Sequence, residues 1–560
     1  MVQKIKLRES LVCLLVLCAL AQGMFARAQV PQPATRERRV EAPTASSPAV
    51  AAPTPAPSSE VGRSRAQGAT AAPRTLAELQ ARINEIVERP QLAQAMVGIK
   101  VASLETGRVL FEQNSDKLLR PASNMKLYTV AAALDRLSPD YRFETSVYAA
   151  APPDAGGNVR GDLIVYGRGD PSMAARFYNG DYNKGIDELA ERIQAAGVKR
   201  VEGDLVGDET YFVGPPQGAG WEWEDLTWYY GAEVSALTVN DNALDLFVKP
   251  GASIGAPCLI TTGPVSAVVR FINRTTTAPR WTKRALRVYR ALGSDVVEVS
   301  GQMALDDVGY TGGVGLTHPA SFFMEMLRQA LLRRGITIGG RTRTIDAAAS
   351  GPLPAPTAQR VMIASRQSPP FSLIAARTLK PSQNLYTELI LRTLGKTSAA
   401  SAPNGLATEV ALAPPATSEE AGLLVVKRFL TEAGINPGQL VLSDGSGLSR
   451  NDMITAGATV QLLTYMSRHR YAAAWREALP IAGVDGTLRN IFKGTLAENN
   501  VRAKTGTLSS ANSLSGYVTS AAGERLVFSM MVNNFPQGTD PRRDCIDPIA
   551  VLLASFAGRS

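Results

Sequence analysis

Ser123 and Lys126 stand three residues apart at the head of the apolar run 127–134, whose spacing predicts a buried helix. Residues at i and i+3 share a helical face. The Ser123 hydroxyl and the Lys126 amine therefore meet, with the amine as a base for the hydroxyl proton. An amine does this only if burial or a nearby positive charge lowers its pKa, and the helix N-terminus supplies part of that field. A second candidate is Ser382-Gln383-Asn384. On a loop, Ser382 can relay a proton and Asn384 can grip a peptide carbonyl in the same cleft. A third is Lys504-Thr505-Gly506-Thr507. Its lysine and threonines suit a carboxylate, and Gly506 lets another chain lie flat on the backbone. Each cluster alone also has a structural reading: a solvated helix start, an N-cap serine, a strand followed by a turn. The chain has only two histidines, His318 and His469. That argues against a His-rich metal site and leaves a Ser-His-Asp triad few sources. A serine enzyme built from these residues is expected to take lysine, rather than histidine, as its base.

The elements that position these residues are legible in part. Spacing predicts a helix over 76–87, strands over 96–103 and 108–112 joined by a turn, then the helix carrying Ser123. Between about 146 and 352 the texture changes to short strand-like runs separated by Gly, Asp and Pro turns. Two helix-and-strand units there echo each other, 188–205 and 326–342, with the mostly β run 243–298 between them. The aromatic stretch 220–231 reads either as a binding surface or as packing between domains. After about 356 the first texture returns. Helices are expected within 379–394, beginning near Lys380-Pro381-Ser382, and over 418–434, 455–466 and 548–556, with a strand over 525–533. Gly395-Lys396-Thr397 is no phosphate loop, because Ile390 stands where the first glycine is required.

The chain has 560 residues, 45% hydrophobic and 19% charged, with a formal charge of +9. That is a globular composition with room for several domains. Residues 1–28 read as a signal peptide: Lys4, Lys6 and Arg8, an apolar run over 11–21, and Ala26-Arg27-Ala28. An uncleaved anchor is the alternative. Cleavage removes four basic residues and one acid, bringing +9 to +6, a mild excess that suits an anionic polymer such as cell wall. No concentrated nucleic-acid patch is present. Residues 29–74 hold eight prolines among Ala, Ser and Thr and are expected to be a disordered tether. Cys258 and Cys545 remain after cleavage, either paired or as two lone buried thiols.

Together the three clusters, in this order, match the S-x-x-K, S-D-N and K-T-G set of penicillin-binding proteins and β-lactamases, with S-Q-N in the middle. The chain also resembles the D-alanyl-D-alanine carboxypeptidase/endopeptidase family, the class C low-molecular-mass penicillin-binding proteins. The likeness runs through Val234-Ser235-Ala236-Leu237-Thr238-Val239-Asn240-Asp241-Asn242, Asp444-Gly445-Ser446-Gly447-Leu448-Ser449-Arg450-Asn451 and Ala482-Gly483-Val484-Asp485-Gly486-Thr487-Leu488. The resemblance covers about 75–560. It implies an α/β (α+β) serine-acyltransferase fold interrupted by a large inserted domain that carries a nested, mostly β domain. The expected partition is 75–145 with 353–560 as the catalytic domain, 146–242 with 299–352 as the insert, and 243–298 nested within it. By position, the resemblance makes Ser123 the acylated nucleophile, Lys126 its base and Ser382 the proton relay. Asn384 would bind the substrate backbone, and Lys504, Thr505, Gly506 and Thr507 would hold its carboxylate end. Asp208 is the expected carboxylate from the insert, reaching an amine on the peptide. The implied activity is serine-type D-Ala-D-Ala carboxypeptidase, with endopeptidase action on peptidoglycan cross-links, and the resemblance implies neither a metal nor an organic cofactor. β-Lactams would act as covalent inhibitors, in an exported, periplasmic protein. The rival readings are a β-lactamase and a catalytically silent wall-binding protein.

Overall fold

The computed structural model describes residues 72–347, 360–401 and 416–560. The expected signal peptide, and the expected tether up to residue 71, lie outside these residues. A five-stranded antiparallel sheet organises the first part, in the order Arg502–Leu508, Ala511–Thr519, Arg525–Asn533, Met96–Ser103, Val109–Gln113. Met96 lies opposite Asn533 and Ser103 opposite Leu526, so the first hairpin and the last strands close one sheet. Its central strands are buried on both faces, which demands a layer on each side. One layer is the helices Leu76–Val87 and Asp547–Ser555, packed through Leu79, Ile83, Ile549 and Leu553. The other contains Met125–Leu137, Phe371–Leu379 and Ala456–Arg468. Met125–Leu137 is buried continuously from Met125 to Leu134, as an apolar run without a polar stripe requires.

A second five-stranded sheet belongs to the insert, in the order Thr342–Ile345, Leu205–Asp208, Leu163–Tyr166, Glu144–Ala149, Val361–Gln367. Glu144–Ala149 and Val361–Gln367 pair antiparallel, so the chain leaves and re-enters the catalytic part on neighbouring strands. The internal echo is physical. Thr337 lies opposite Arg200 and Thr342 opposite Leu205, at one constant offset, in parallel pairs that follow the helices Lys184–Ala195 and Pro319–Arg333.

Three three-stranded sheets complete the insert. A short one runs Thr337–Ile338, Arg200–Val201, Asn158–Val159; a second Tyr310–Gly315, Ala243–Lys249, Leu259–Gly263; a third Arg270–Ala278, Val296–Ala304, Ala285–Arg290. The expected limit of the nested segment at 298 falls inside the strand Val296–Ala304, and Tyr310–Gly315 pairs with Ala243–Lys249. Leu244, Leu246, Val297 and Val299 share one apolar cluster with Val147 and Leu163 of the five-stranded sheet. Cys258 and Cys545 are buried free thiols. Among the described residues no helix is long and apolar enough to cross a membrane.

Candidate active site

Ser123 lies in a short 3-10 turn, Ala122–Asn124, that runs directly into the helix Met125–Leu137. Ala122 takes a left-handed conformation, φ 49°, uncommon for a residue with a Cβ. The turn is held on several sides. Asn124 Nδ2 donates to Ser515 Oγ at 3.0 Å and Ser513 Oγ donates to the Pro121 carbonyl at 2.7 Å. One turn on, Lys126 is fully buried. Its Nζ donates to Ser123 Oγ at 3.0 Å, Asn384 Oδ1 at 2.6 Å and the Ser446 carbonyl at 2.6 Å. Burial pulls its pKa from 10.5 to about 8, against the pull of Asp444, Glu388 and Asp452.

The second cluster comes from a break in the chain. The helix expected to begin near Lys380-Pro381-Ser382 runs Asn384–Ser401, and an unexpected helix, Phe371–Leu379, precedes it. Between them Ser382 sits at φ 63°. The N-cap reading of Ser382 does not hold. Gln383 Oε1 accepts from Leu385 N at 3.2 Å, while Ser382 Oγ accepts from Lys504 Nζ at 2.8 Å. Asn384 faces the groove, with Oδ1 on Lys126 and Nδ2 on the Tyr230 carbonyl at 2.8 Å.

The third cluster lies on Arg502–Leu508, the edge strand of the catalytic sheet. Lys504 Nζ also donates to the Thr505 carbonyl at 2.8 Å, and Thr505 Oγ1 donates to Thr487 Oγ1 at 2.7 Å. Burial, and then the nearby Lys126 amine, push Lys504 well below the ordinary lysine range. An arriving anion favours its charged form again. Gly506 has a reason besides a flat surface. A Cβ there would lie 2.2 Å from Ser513 Oγ and 2.6 Å from the Pro121 carbonyl oxygen, so only glycine lets this strand pass beneath the nucleophile turn. Thr507 follows on the same strand, opposite Asn512.

The three segments, separated by hundreds of residues, thus meet at two lysine–serine pairs, Lys126 with Ser123 and Lys504 with Ser382. Asp208, the carboxylate that the resemblance implies, is buried at the end of Leu205–Asp208, where Oδ1 accepts from Thr210 N at 3.0 Å and Thr210 Oγ1 at 2.7 Å.

Sequence reasoning also missed what stands behind Lys126. Glu388, one turn beyond Asn384, accepts from Gly445 N at 3.0 Å. Asp444 accepts from the backbone N–H groups of Ser446, Gly447, Leu448 and Ser449 and from Trp221 Nε1 at 2.9 Å. These bonds hold the loop whose Ser446 carbonyl faces Lys126. Burial, and then the Asp444 charge, push Glu388 and Asp452 well above the usual carboxylate range. The i, i+4 spacing of Asn384 and Glu388 was the available signal. The aromatic stretch proves to be packing that reaches the site: Trp221 and Tyr230 lie against Ala122, Leu448, Leu508 and Ala511.

Comparison with known proteins agrees with this geometry. The D-Ala-D-Ala carboxypeptidase 3 (S13) family matches residues 79–556. The D-alanyl-D-alanine carboxypeptidase of Actinomadura sp. (strain R39) is 34% identical over 494 residues, 86% of each chain. D-alanyl-D-alanine carboxypeptidase DacB of Haemophilus influenzae is 26% identical over 453 residues, 79% of this chain and 86% of that one. The crystal structure of penicillin binding protein 4 from Haemophilus influenzae shares the fold, with a TM-score of 0.71 at 22% identity over 85% of this chain and 99% of that one. The chain therefore belongs to the D-Ala-D-Ala carboxypeptidase 3 (S13) family and is a serine-type D-Ala-D-Ala carboxypeptidase.

Proposed function

We propose that Ser123 attacks the carbonyl between the two terminal D-alanines of a peptidoglycan stem peptide, with Lys126 as its base. The observation that carries this reading is the 3.0 Å contact between Lys126 Nζ and Ser123 Oγ, made by an amine that burial brings to about 8. A neutral amine takes the hydroxyl proton as the Oγ–C bond forms. The backbone N–H groups of Ser123 and Thr507 receive the oxyanion, where one such donor is worth about 3 kcal/mol. Ser382 passes a proton to the departing D-alanine nitrogen, Asn384 binds the peptide backbone, and Lys504 with Thr505 and Thr507 holds the terminal carboxylate. Gly506 keeps the strand close beneath the nucleophile. Water then hydrolyses the ester. Asp208 is the insert's candidate carboxylate for an amine on the peptide.

The same chemistry cuts a cross-link in which the D-alanine carbonyl is joined to a neighbouring peptide, which is endopeptidase action. A β-lactam carries the same acyl group and leaves Ser123 esterified. A related solved structure, penicillin binding protein 4 of Haemophilus influenzae, is described as complexed with a β-lactam. We also assign residues 1–28 to an export signal, the insert to 144–367, between the paired strands Glu144–Ala149 and Val361–Gln367, and its nested part to 243–315, where the strand pairs close. Mass spectrometry of penicillin-treated protein tests the assignment. The adduct is expected on Ser123, and Ser123→Ala is expected to lose both the adduct and D-alanine release while keeping the fold. D-Alanine release by that variant at the original rate removes Ser123 from the mechanism. Rapid turnover of penicillin without a lasting adduct would make the protein a β-lactamase instead.

A further inference from the structure

Between residues 264 and 294 the chain carries seven basic residues and no acid. The sheet Arg270–Ala278, Val296–Ala304, Ala285–Arg290 sorts them by face. Val297, Val299 and Met303 are buried in the insert's core, with Phe271, Leu286 and Val288 packed against it. The alternate positions point outward. There Arg274 and Arg287 both lie opposite Ser300, giving an Arg-Ser-Arg row about 10 Å across. The row beside it carries Tyr289, and Arg287 stacks over that ring at 5.5 Å. Arg270 continues the face at one end. At the other, the turn after Ala278 presents Arg280, Lys283 and Trp281, which is 89% exposed. Glu298 is the one acid in these strands, and it pairs with Arg274 at 3.0 Å. Arg270, Arg280, Lys283 and Arg287 have no carboxylate partner among the described residues.

A merely solvated face intersperses both signs of charge. This one has five cations against two carboxylates, Glu298 and Asp306, whose Oδ1 accepts from Trp281 N at 3.1 Å, with two aromatic rings able to cover sugar or peptide faces. We propose that this sheet face binds cross-linked peptidoglycan through the carboxylates of its stem peptides, holding the wall while the groove works on one peptide end. The inference rests on the function proposed above for its choice of polymer. Cations spread over the whole face, rather than ringing the Trp281 tip, favour an extended polymer over a lipid surface.

Full-length protein already acylated with benzylpenicillin, its groove blocked, is sedimented with purified sacculi. The wild type is expected to pellet, less so as salt screens the exposed charges. Arg274→Glu/Arg287→Glu is expected to bind about tenfold more weakly or worse, and Arg274→Lys/Arg287→Lys to pellet as the wild type. Both variants should react with penicillin at the original rate, since these side chains lie on the outer face. Equal pelleting of the charge-reversed protein overturns the proposal, as does capture by phosphatidylglycerol vesicles without capture by sacculi. Should penicillin fail to acylate the protein, the catalytic reading falls, and sedimentation of Ser123→Ala protein still decides this one.

Discussion

Lys126 is the residue on which the chemistry turns, and its environment fixes a pH dependence. An ordinary lysine holds its proton to 10.5, while here burial lowers that to about 8. Asp444, Glu388 and Asp452 pull the other way, and burial outweighs them. If the neutral amine is the base, the second-order rate of penicillin acylation rises with pH through about 8 and levels off above it. A rate unchanged from about pH 6 to 9 assigns the base to another group. The stability linkage has the same sign. The unfolded amine stays protonated up to 10.5, so from about 8 upward the unfolded state binds more protons. The penalty for burying Lys126 is therefore full below about 8 and fades as pH rises toward 10.5.

The elements that hold this amine succeed by close approach, and one glycine shows how close. The strand Arg502–Leu508 passes so near Pro121 and Ala122 that a Cβ on Gly506 finds backbone oxygen at 2.6 Å. Gly506→Ala must therefore displace either the nucleophile turn or the strand. A shift of about 1 Å at a reacting centre costs on the order of 100-fold. Penicillin acylation is expected to fall by that order while circular dichroism stays native. A loss under about threefold would mean that the turn yields freely. Legibility divides at the same boundary. The strand Arg525–Asn533 and the helix Ala456–Arg468, capped by Thr455, could be read because their signals are local. The helix expected to begin near Lys380-Pro381-Ser382 starts at Asn384, for which Pro381 was a local hint. The left-handed backbone of Ser382 just before it, and its bond to Lys504 122 residues away, were not legible. Ser123, Lys126, Ser382 and Lys504 stood out because their types do chemistry. Glu388 and the Tyr230 carbonyl did not, because their roles come from where folding buries them.

At the scale of the whole molecule, the insert forms part of the frame around the groove. Three successive residues, Asn240, Asp241 and Asn242, adopt left-handed backbone with φ of 47°, 58° and 50°, which Asn and Asp tolerate better than other side chains. That knot presents Asp241 to the catalytic helix Asn384–Ser401. Tyr386 Oη donates to Asp241 Oδ1 at 2.5 Å, and Arg176 Nε donates to Oδ2 at 2.8 Å. Two residues before Tyr386, Asn384 donates to the Tyr230 carbonyl. A carboxylate in the insert thus fixes the helix that aims a groove residue. Asp241→Ala leaves the Arg176 guanidinium and the Tyr386 hydroxyl without their acceptor and removes a residue suited to positive φ. Breaking such a pair costs about 3 kcal/mol, and a lower melting temperature with slower penicillin acylation is expected. Asp241→Asn keeps an acceptor and the backbone preference, so it should lose less of both. If Asp241→Ala lowers the melting temperature but acylates at the wild-type rate, the insert stabilises the fold without aligning the site.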